Sequence, residues 1–409
     1  MKILLATSLA IPAGGGIASY NQELVNLFGI DNQIHLLTDS DEKDVEGYVS
    51  TLSNYGKNNN DFQYCQSLIK KLNDENYDCI INSASSFIPV IAPFLKSPII
   101  AVSHFVNGQL AINAGYNSRY ISAIIALSNY GKTFIEDKFK IVDRQKVCVV
   151  YNFVKCSQIL STDSKLKHKP LKIVYPGGTS IAKSVDIVQQ LVYLLIKSNL
   201  EFEFIWIGQT RLPSSKFSLF GLHNSYDLFP RDSRLKISGI IPRQQAEQII
   251  GSANIFLLPS RGEGCPMTLL EAFRSGCIPV VSDAHHGSRE ILELSKTGCI
   301  VPQNSAKKLF DVIKDIIEHH EKYSFNYTKT QEFLFNYLSP HTWAENMNDI
   351  INSALKRERP IEPLTKTAFQ KTANGYNRLL KIERCKSIIK RINCRIKFDF
   401  FYFSFKMFK

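Results

Sequence analysis

Short apolar, β-rich runs alternate with helical patterns twice along this chain, and that alternation constrains the fold more than any other feature. Strand, amphipathic helix, strand is the repeating unit of a parallel sheet with crossover helices. In the first half, strands are predicted near residues 2–6, 34–37, 79–82, 99–102, 123–127 and 146–150, with helices at 17–28 and 129–139. A polar, weakly patterned stretch at 157–170 then reads as a linker. The alternation restarts with strands near 172–175, 202–207, 235–238, 255–258, 278–282 and 298–301. Helices are predicted at 184–198, 244–252, 268–275 and 306–320. The pattern gives an α/β chain of two Rossmann-like domains, 1–156 and 171–338. Ligands of such sheets bind outside the carboxyl ends of the strands, so two domains facing each other would form a cleft.

Composition narrows the function classes. A length of 409 residues exceeds one ordinary core. No apolar run is long enough to span a bilayer, and the opening Met1-Lys2-Ile3-Leu4-Leu5-Ala6 reads as a strand rather than a signal peptide. The nine cysteines are dispersed and never spaced Cys-x-x-Cys, which points to a reducing compartment and away from disulfides or structural zinc. The formal charge of +12 sits almost wholly in residues 351–409, with 15 basic against 4 acidic side chains. The basic pI therefore belongs to the tail and marks no nucleic-acid-binding face.

The strongest local signal is Leu257-Leu258-Pro259-Ser260-Arg261-Gly262-Glu263-Gly264-Cys265-Pro266-Met267-Thr268-Leu269-Leu270-Glu271-Ala272. It runs from a strand end through a glycine-rich turn into a helix. Pro266 suits the first turn of that helix, where a missing N–H costs nothing. The N–H groups of Met267, Thr268 and Leu269 would then form an anion site fit for a diphosphate. Glu263 and Glu271 are placed to accept hydroxyls.

This segment, continued through Phe273-Arg274-Ser275-Gly276-Cys277-Ile278-Pro279-Val280-Val281-Ser282, resembles the signature of the retaining glycosyltransferases of family 4, which have the GT-B fold. Glu263 and Glu271 match the family's Glu, seven residues, Glu pattern. Similarity extends upstream through Ser238-Gly239-Ile240-Ile241-Pro242 and downstream to Gly298-Cys299-Ile300-Val301-Pro302. A second stretch, Tyr175-Pro176-Gly177-Gly178-Thr179-Ser180-Ile181-Ala182-Lys183-Ser184, is similar to the family's Gly-Arg-Leu-x-x-x-Lys-Gly. Lys183 falls on the Lys; Gly178 stands where Arg is usual and Ser184 where Gly is usual. Arg261 or Arg211 are candidates to replace the missing Arg.

The resemblance implies transfer of a sugar from a nucleoside diphosphate sugar to a saccharide or lipid-linked saccharide acceptor, with retention of configuration. It needs no cofactor and no metal. Glu263, His104 and Lys183 are then the catalytic groups, Glu263 orienting the sugar and Lys183 neutralising the diphosphate. Gly15, Gly16, Gly178, Lys183, Gly264, Cys265, Met267, Thr268 and Glu271 are the donor-binding positions, Glu271 toward the ribose. The Gly14-Gly15-Gly16 loop stands about eight residues beyond the first strand, which argues against a hydride-transfer fingerprint. His104 follows a predicted strand. Ser128-Asn129 and Tyr151-Asn152 read as a hinge. Gly131-Lys132-Thr133 lacks the earlier glycine of a P-loop, and Asp39-Ser40-Asp41 reads as a solvated turn. A sugar-nucleotide epimerase and a non-catalytic scaffold of the same fold remain the alternatives.

The end of the chain divides in two. Residues 339–358, with Trp343 and Met347, suit a helix crossing back to the first domain. In 359–409, Leu379, Ile382, Cys385, Ile389, Ile392 and Ile396 recur at helical steps among basic residues, followed by Phe398, Phe400, Phe401, Tyr402, Phe403 and Phe405. This basic aromatic tail reads as an amphipathic element for an anionic membrane surface. That placement makes the protein cytoplasmic and peripheral on the inner face of the cell membrane.

Overall fold

The computed structural model describes residues 1–8, 16–41, 45, 47–105, 108–155, 169–179, 181–208, 232–284, 286–323 and 327–407, the side chains of 181, 327–329, 331 and 390–407 excepted. Two compact units emerge. The first comprises Met1–Phe153 and Tyr337–Cys385; the second comprises Val154–Asn336 together with the chain from Lys386 onward.

The first unit holds β1 (Lys2–Thr7), α1 (Gly16–Phe28), β2 (Gln33–Thr38), β3 (Thr51–Ser53), α2 (Phe62–Asp74), β4 (Cys79–Asn82), α3 (Ile88–Ile91), β5 (Ile99–Ser103), α4 (Gly108–Gly115), β6 (Ala123–Ala126), α5 (Asn129–Lys138) and β7 (Val147–Val149). Its seven strands lie in the order β3-β2-β1-β4-β5-β6-β7, all paired in parallel. β1, β4, β5 and β6 are buried along their length except at Lys2. That burial follows from helices covering both faces of a parallel sheet.

The second unit holds β8 (Leu171–Pro176), α6 (Val185–Lys197), β9 (Phe202–Ile207), β10 (Leu235–Gly239), α7 (Arg243–Ser252), β11 (Ile255–Leu258), α8 (Met267–Arg274), β12 (Ile278–Asp283), α9 (Gly287–Ser295), β13 (Cys299–Pro302), α10 (Ala306–Glu318) and α11 (Tyr327–Tyr337). Its sheet order is β10-β9-β8-β11-β12-β13, again parallel. Both sheets therefore wind outward in two directions from their first strand. The switch point lies between β1 and β4 in one and between β8 and β11 in the other.

Every predicted strand is present within one residue at either end. β3 was not predicted. It is three half-buried residues on the sheet edge, too short to show a period. Asp39 corrects the expectation of a solvated turn. Its carboxylate accepts from Ser85 Oγ (2.9 Å), Ser86 N (2.8 Å) and Ser86 Oγ (3.0 Å), tying the end of β2 to the loop after β4. Burial pushes its pKa up against those hydrogen bonds. The Gly131-Lys132-Thr133 triplet lies in α5, whose N-terminus Ser128 caps by accepting from Gly131 N (3.0 Å). Most of the predicted linker, residues 157–168, lies outside the described residues.

One C-terminal helix and the opening of another, as far as Cys385, complete the first unit. α12 (Pro340–Lys356) buries Trp343 and Met347, and the Trp343 indole meets the rings of Tyr20, Phe28 and Phe153 at 5.7, 5.8 and 5.1 Å. A strap then runs to α13 (Lys366–Met407). Arg357 pairs with Asp143, Arg359 donates to the carbonyls of Leu95 (2.6 Å), Ser97 (2.5 Å) and Tyr120 (3.3 Å), and Glu362 accepts from Tyr120 Oη (2.8 Å). The opening of α13 packs Phe369, Ala373, Tyr376 and Leu380 into the same core as α2 and α4. This part of the C-terminal stretch is built into the domain, so Phe369→Ala should cost about 3–4 kcal/mol of stability. Urea denaturation of the intact chain checks it; an unchanged midpoint would show that the segment is only loosely attached.

Candidate donor site

The second domain builds its site where the outgoing loops of β8 and β11 leave adjacent strands in a switch-point crevice. The β8 loop turns sharply, and Gly177 is needed there: a Cβ would lie 2.2 Å from the Tyr175 ring. Tyr175, fully buried, donates its hydroxyl to the carbonyl of Lys183 (2.9 Å), with the carbonyl of Gly178 at 3.3 Å. The ring thus clamps the loop that carries Lys183. Ser184 closes that loop in the left-handed region, φ 59° and ψ 44°, ahead of α6. A glycine would sit there without the steric cost that a Cβ brings, which accounts for the residue type usual at this position.

Three ties join this loop to the one after β11. Arg261 N donates to the carbonyl of Ala182 (2.8 Å). The Arg261 guanidinium grips Asp186 with two bonds, Nη1 to Oδ1 at 2.8 Å and Nη2 to Oδ2 at 2.7 Å, and its Nε donates to Asn304 Oδ1 at 2.9 Å. Lys183 Nζ donates to Glu263 Oε1 at 2.6 Å. Glu263 is 6% exposed, so its charge is met chiefly by Lys183. Arg261 is therefore committed to Asp186 and does not stand in for the Arg missing at Gly178. Arg211, the other candidate, lies outside the described residues.

Gly264 and Cys265 are buried in the turn that follows, and Met267 and Thr268 open α8 half-exposed. No side chain caps that helix, whose N-cap is Pro266. Its first N–H groups and the positive end of its dipole suit an anion. Glu271, one face down the same helix, is 7% exposed and accepts from Arg243 Nη2 at 3.3 Å. Burial raises the Glu271 pKa and Arg243 pulls it back. Arg243 also bonds Glu247 at 2.8 Å. His286 is fully buried at the N-cap of α9, where its Nδ1 accepts from Ser288 N at 3.2 Å. With Nδ1 accepting, Nε2 carries the proton toward the Ser260 carbonyl at 3.4 Å. Sequence reasoning missed Asp186, Arg243 and His286. Asp186 alone left a signal, an acid in the first turn of a helix next to Lys183.

In the first domain, His104 lies just past β5 and is buried. Asn21 turns its Nδ2 to Thr7 Oγ1 (3.0 Å), so its Oδ1 takes the Ser83 proton (2.6 Å). Ser83 Oγ must then accept from His104 Nε2 at 2.8 Å, which leaves Nδ1 as a hydrogen-bond acceptor. Tyr20 stands edge-on to the ring at 4.8 Å. Burial pulls the His104 pKa down to about 3, so the ring is neutral across the physiological range. Thr7 ends β1, Ser83 and His104 follow β4 and β5, and Gly16 opens α1; Gly15 lies outside the described residues.

Two doubly wound parallel sheets, each with a switch-point crevice, define a two-domain α/β protein of the GT-B kind. Residues 158–332 match the family described as Glycosyl transferases group 1, and residues 14–158 match that described as Glycosyltransferase Family 4. The chain belongs to glycosyltransferase family 4. It is similar to the colanic acid biosynthesis glycosyltransferase WcaL of Escherichia coli, 27% identical over 172 residues and 41% of each chain. It is likewise 27% identical over 152 residues to the amylovoran biosynthesis glycosyltransferase AmsK of Erwinia amylovora, 36% of each chain. The chain thus spans about two-fifths of the length of these relatives. Among solved structures, Anabaena HepE in complex with UDP-glucose shares the fold, with a TM-score of 0.64 at 16% identity over 86% of this chain and 100% of that one.

Two measurements probe the geometry. Arg261→Ala strands the buried Asp186 carboxylate and should cost about 3 kcal/mol; Arg261→Lys, lacking the planar fork, should rescue little of it. The His104 contribution to stability is fully present above its unfolded pKa of 6.5 and is lost as pH falls toward about 3. Between pH 7 and pH 5 this group should remove about 2 kcal/mol, and His104→Gln should flatten that dependence in urea titrations.

Proposed function

We propose that the protein is a retaining glycosyltransferase that moves a sugar from a nucleoside diphosphate sugar to an acceptor hydroxyl. The Lys183–Glu263 pair at the β8/β11 switch point carries this reading. A diphosphate lying against the open N-terminus of α8 offers Lys183 a stronger anionic partner. Glu263, released from Lys183, then takes its hydrogen bonds from the sugar hydroxyls. Glu271, held by Arg243, accepts from the ribose. Within the first domain, His104 is neutral and offers Nδ1 as an acceptor for a hydroxyl.

The chemistry asks for no protein nucleophile and no metal. The bond from the anomeric carbon to the diphosphate breaks while the acceptor oxygen bonds to that carbon on the same face. The acceptor's proton passes to the leaving diphosphate oxygen. Lys183 and the α8 N–H groups stabilise the charge that develops there, which is catalysis by prearranged electrostatics. The relatives named for colanic acid and amylovoran biosynthesis support a role in exopolysaccharide synthesis, and the acceptor in this reading is a saccharide or lipid-linked saccharide at the inner face of the cell membrane. The UDP-glucose complex of HepE supports a nucleoside diphosphate sugar as donor.

Turnover with a panel of nucleoside diphosphate sugars tests this. Glu263→Ala and Lys183→Ala should each lower kcat/KM by about a hundredfold to a thousandfold. The double variant Lys183→Met, Glu263→Gln removes both charges together and should keep the folding midpoint near that of the parent while remaining inactive. Parental turnover in Glu263→Ala would sink the assignment.

A further inference from the structure

The last helix carries two apolar stripes on different faces. Its docked stripe, Phe369, Ala373, Tyr376 and Leu380, is buried in the first domain. Lys138 meets Glu383 at 3.5 Å near the end of that contact. Ile382, Ile388 and Ile389 are instead 44%, 53% and 59% exposed. Along the sequence, Ile382, Ile389, Ile392, Ile396, Phe400 and Phe403 continue at helical steps to the end of α13. At 3.6 residues per turn, the two residues from Leu380 to Ile382 rotate the stripe by about 200°. The second stripe therefore starts on roughly the opposite side of the helix from the docked one, and it cannot be a continuation of the packing against the first domain.

Charge identifies what covers it. From Lys386 to the end the sequence holds seven basic residues and one acid, Asp399. By the helical repeat, Lys386, Lys390 and Lys397 fall along one border of the stripe, and Arg384, Arg391 and Arg395 along the other. An apolar stripe bordered on both sides by cations matches the depth profile of a lipid interface, with acyl chains below and phosphates at the rim. A second copy of the chain would bring the same positive charge against it. Among the described residues no helix is long and apolar enough to cross a membrane, so the fitting arrangement is a helix lying along the surface.

We propose that the distal half of α13 is an arm that seats the protein on an anionic bilayer, its isoleucine and phenylalanine stripe in the acyl boundary and its basic borders on lipid phosphates. This deepens the reading of a membrane-linked acceptor, and only the need for such an arm rests on that reading.

Co-sedimentation of the full chain with vesicles, without donor or acceptor, tests the arm independently of glycosyl transfer. Vesicles of phosphatidylcholine with about one-third phosphatidylglycerol should bind at least about tenfold more tightly than phosphatidylcholine alone, and less so as salt rises. Lys386→Glu with Lys390→Glu, and separately Ile389→Asp, should each weaken that binding by about tenfold or more. Lys386 and Ile389 are exposed, and both variants should keep the parental melting temperature and the parental rate of nucleotide-sugar hydrolysis. Parental vesicle binding in either variant, or equal binding to neutral and anionic vesicles, would overturn the proposal. So would a dimer that Ile389→Asp splits in sedimentation velocity, since the stripe would then belong to a second copy.

Discussion

Parallel pairing on both sides of a first strand is the constraint from which the rest of this molecule follows. β1 pairs with β2 and β4, and β8 pairs with β9 and β11, all in parallel. Each parallel step needs a crossover, and crossovers of one hand place their helices on opposite faces once the winding reverses. The chain leaving β8 and the chain leaving β11 therefore enter helices on opposite faces, and the two loops meet through side-chain and backbone ties at the switch-point gap. Residues at that gap can be polar and buried without disturbing a core. Lys183 and Glu263 occupy it in the second domain, and Thr7 and Ser83 stand at its counterpart in the first.

The second domain fills its gap with charge, which is costly unless every charge has a partner. Arg261 and Asp186 are matched in two parallel bonds, the geometry in which such a pair holds best. That pair fixes the two loops and leaves Lys183 and Glu263 to meet in a single bond. The arrangement separates duties: one ion pair is the fastener and the other is exchangeable. A ligand that supplies both an anion and hydroxyls can replace the exchangeable pair without leaving either side chain unsatisfied. A diphosphate alone would leave Glu263 stranded, and a sugar alone would leave Lys183 so. Under the proposed function, the site thereby favours the two halves of a sugar nucleotide together.

Much of this was legible in the sequence, because strand and helix periods survive in buried β-runs and amphipathic helices. The register of Glu263, Glu271 and Lys183 was also visible, since strand–turn–helix segments place residues locally. What was not legible depends on contacts across long sequence separations. The separation of 75 positions between Arg261 and Asp186 hides an ion pair that engages Arg261. The separation of 62 between Ser83 and Asn21 hides the network that decides which His104 nitrogen holds the proton. Asp39 read as a solvated turn because serines 85 and 86 approach it only in the fold.

The C-terminal stretch shows how an addition can be accommodated without crowding a ligand edge. Leu95 and Ser97 precede β5, Tyr120 precedes β6 and Asp143 precedes β7, so the strap from Arg357 to Glu362 is pinned along the amino ends of the strands. His104 and its network lie at the carboxyl ends. Arg359 serves this role through three carbonyls rather than a carboxylate, and burial draws its pKa down to about 10, still far above neutrality. A guanidinium suits the task because carbonyls before adjacent parallel strands accept from one planar donor group. The chain's end can then vary in length and chemistry beyond Leu380 while the strap stays pinned to the amino ends.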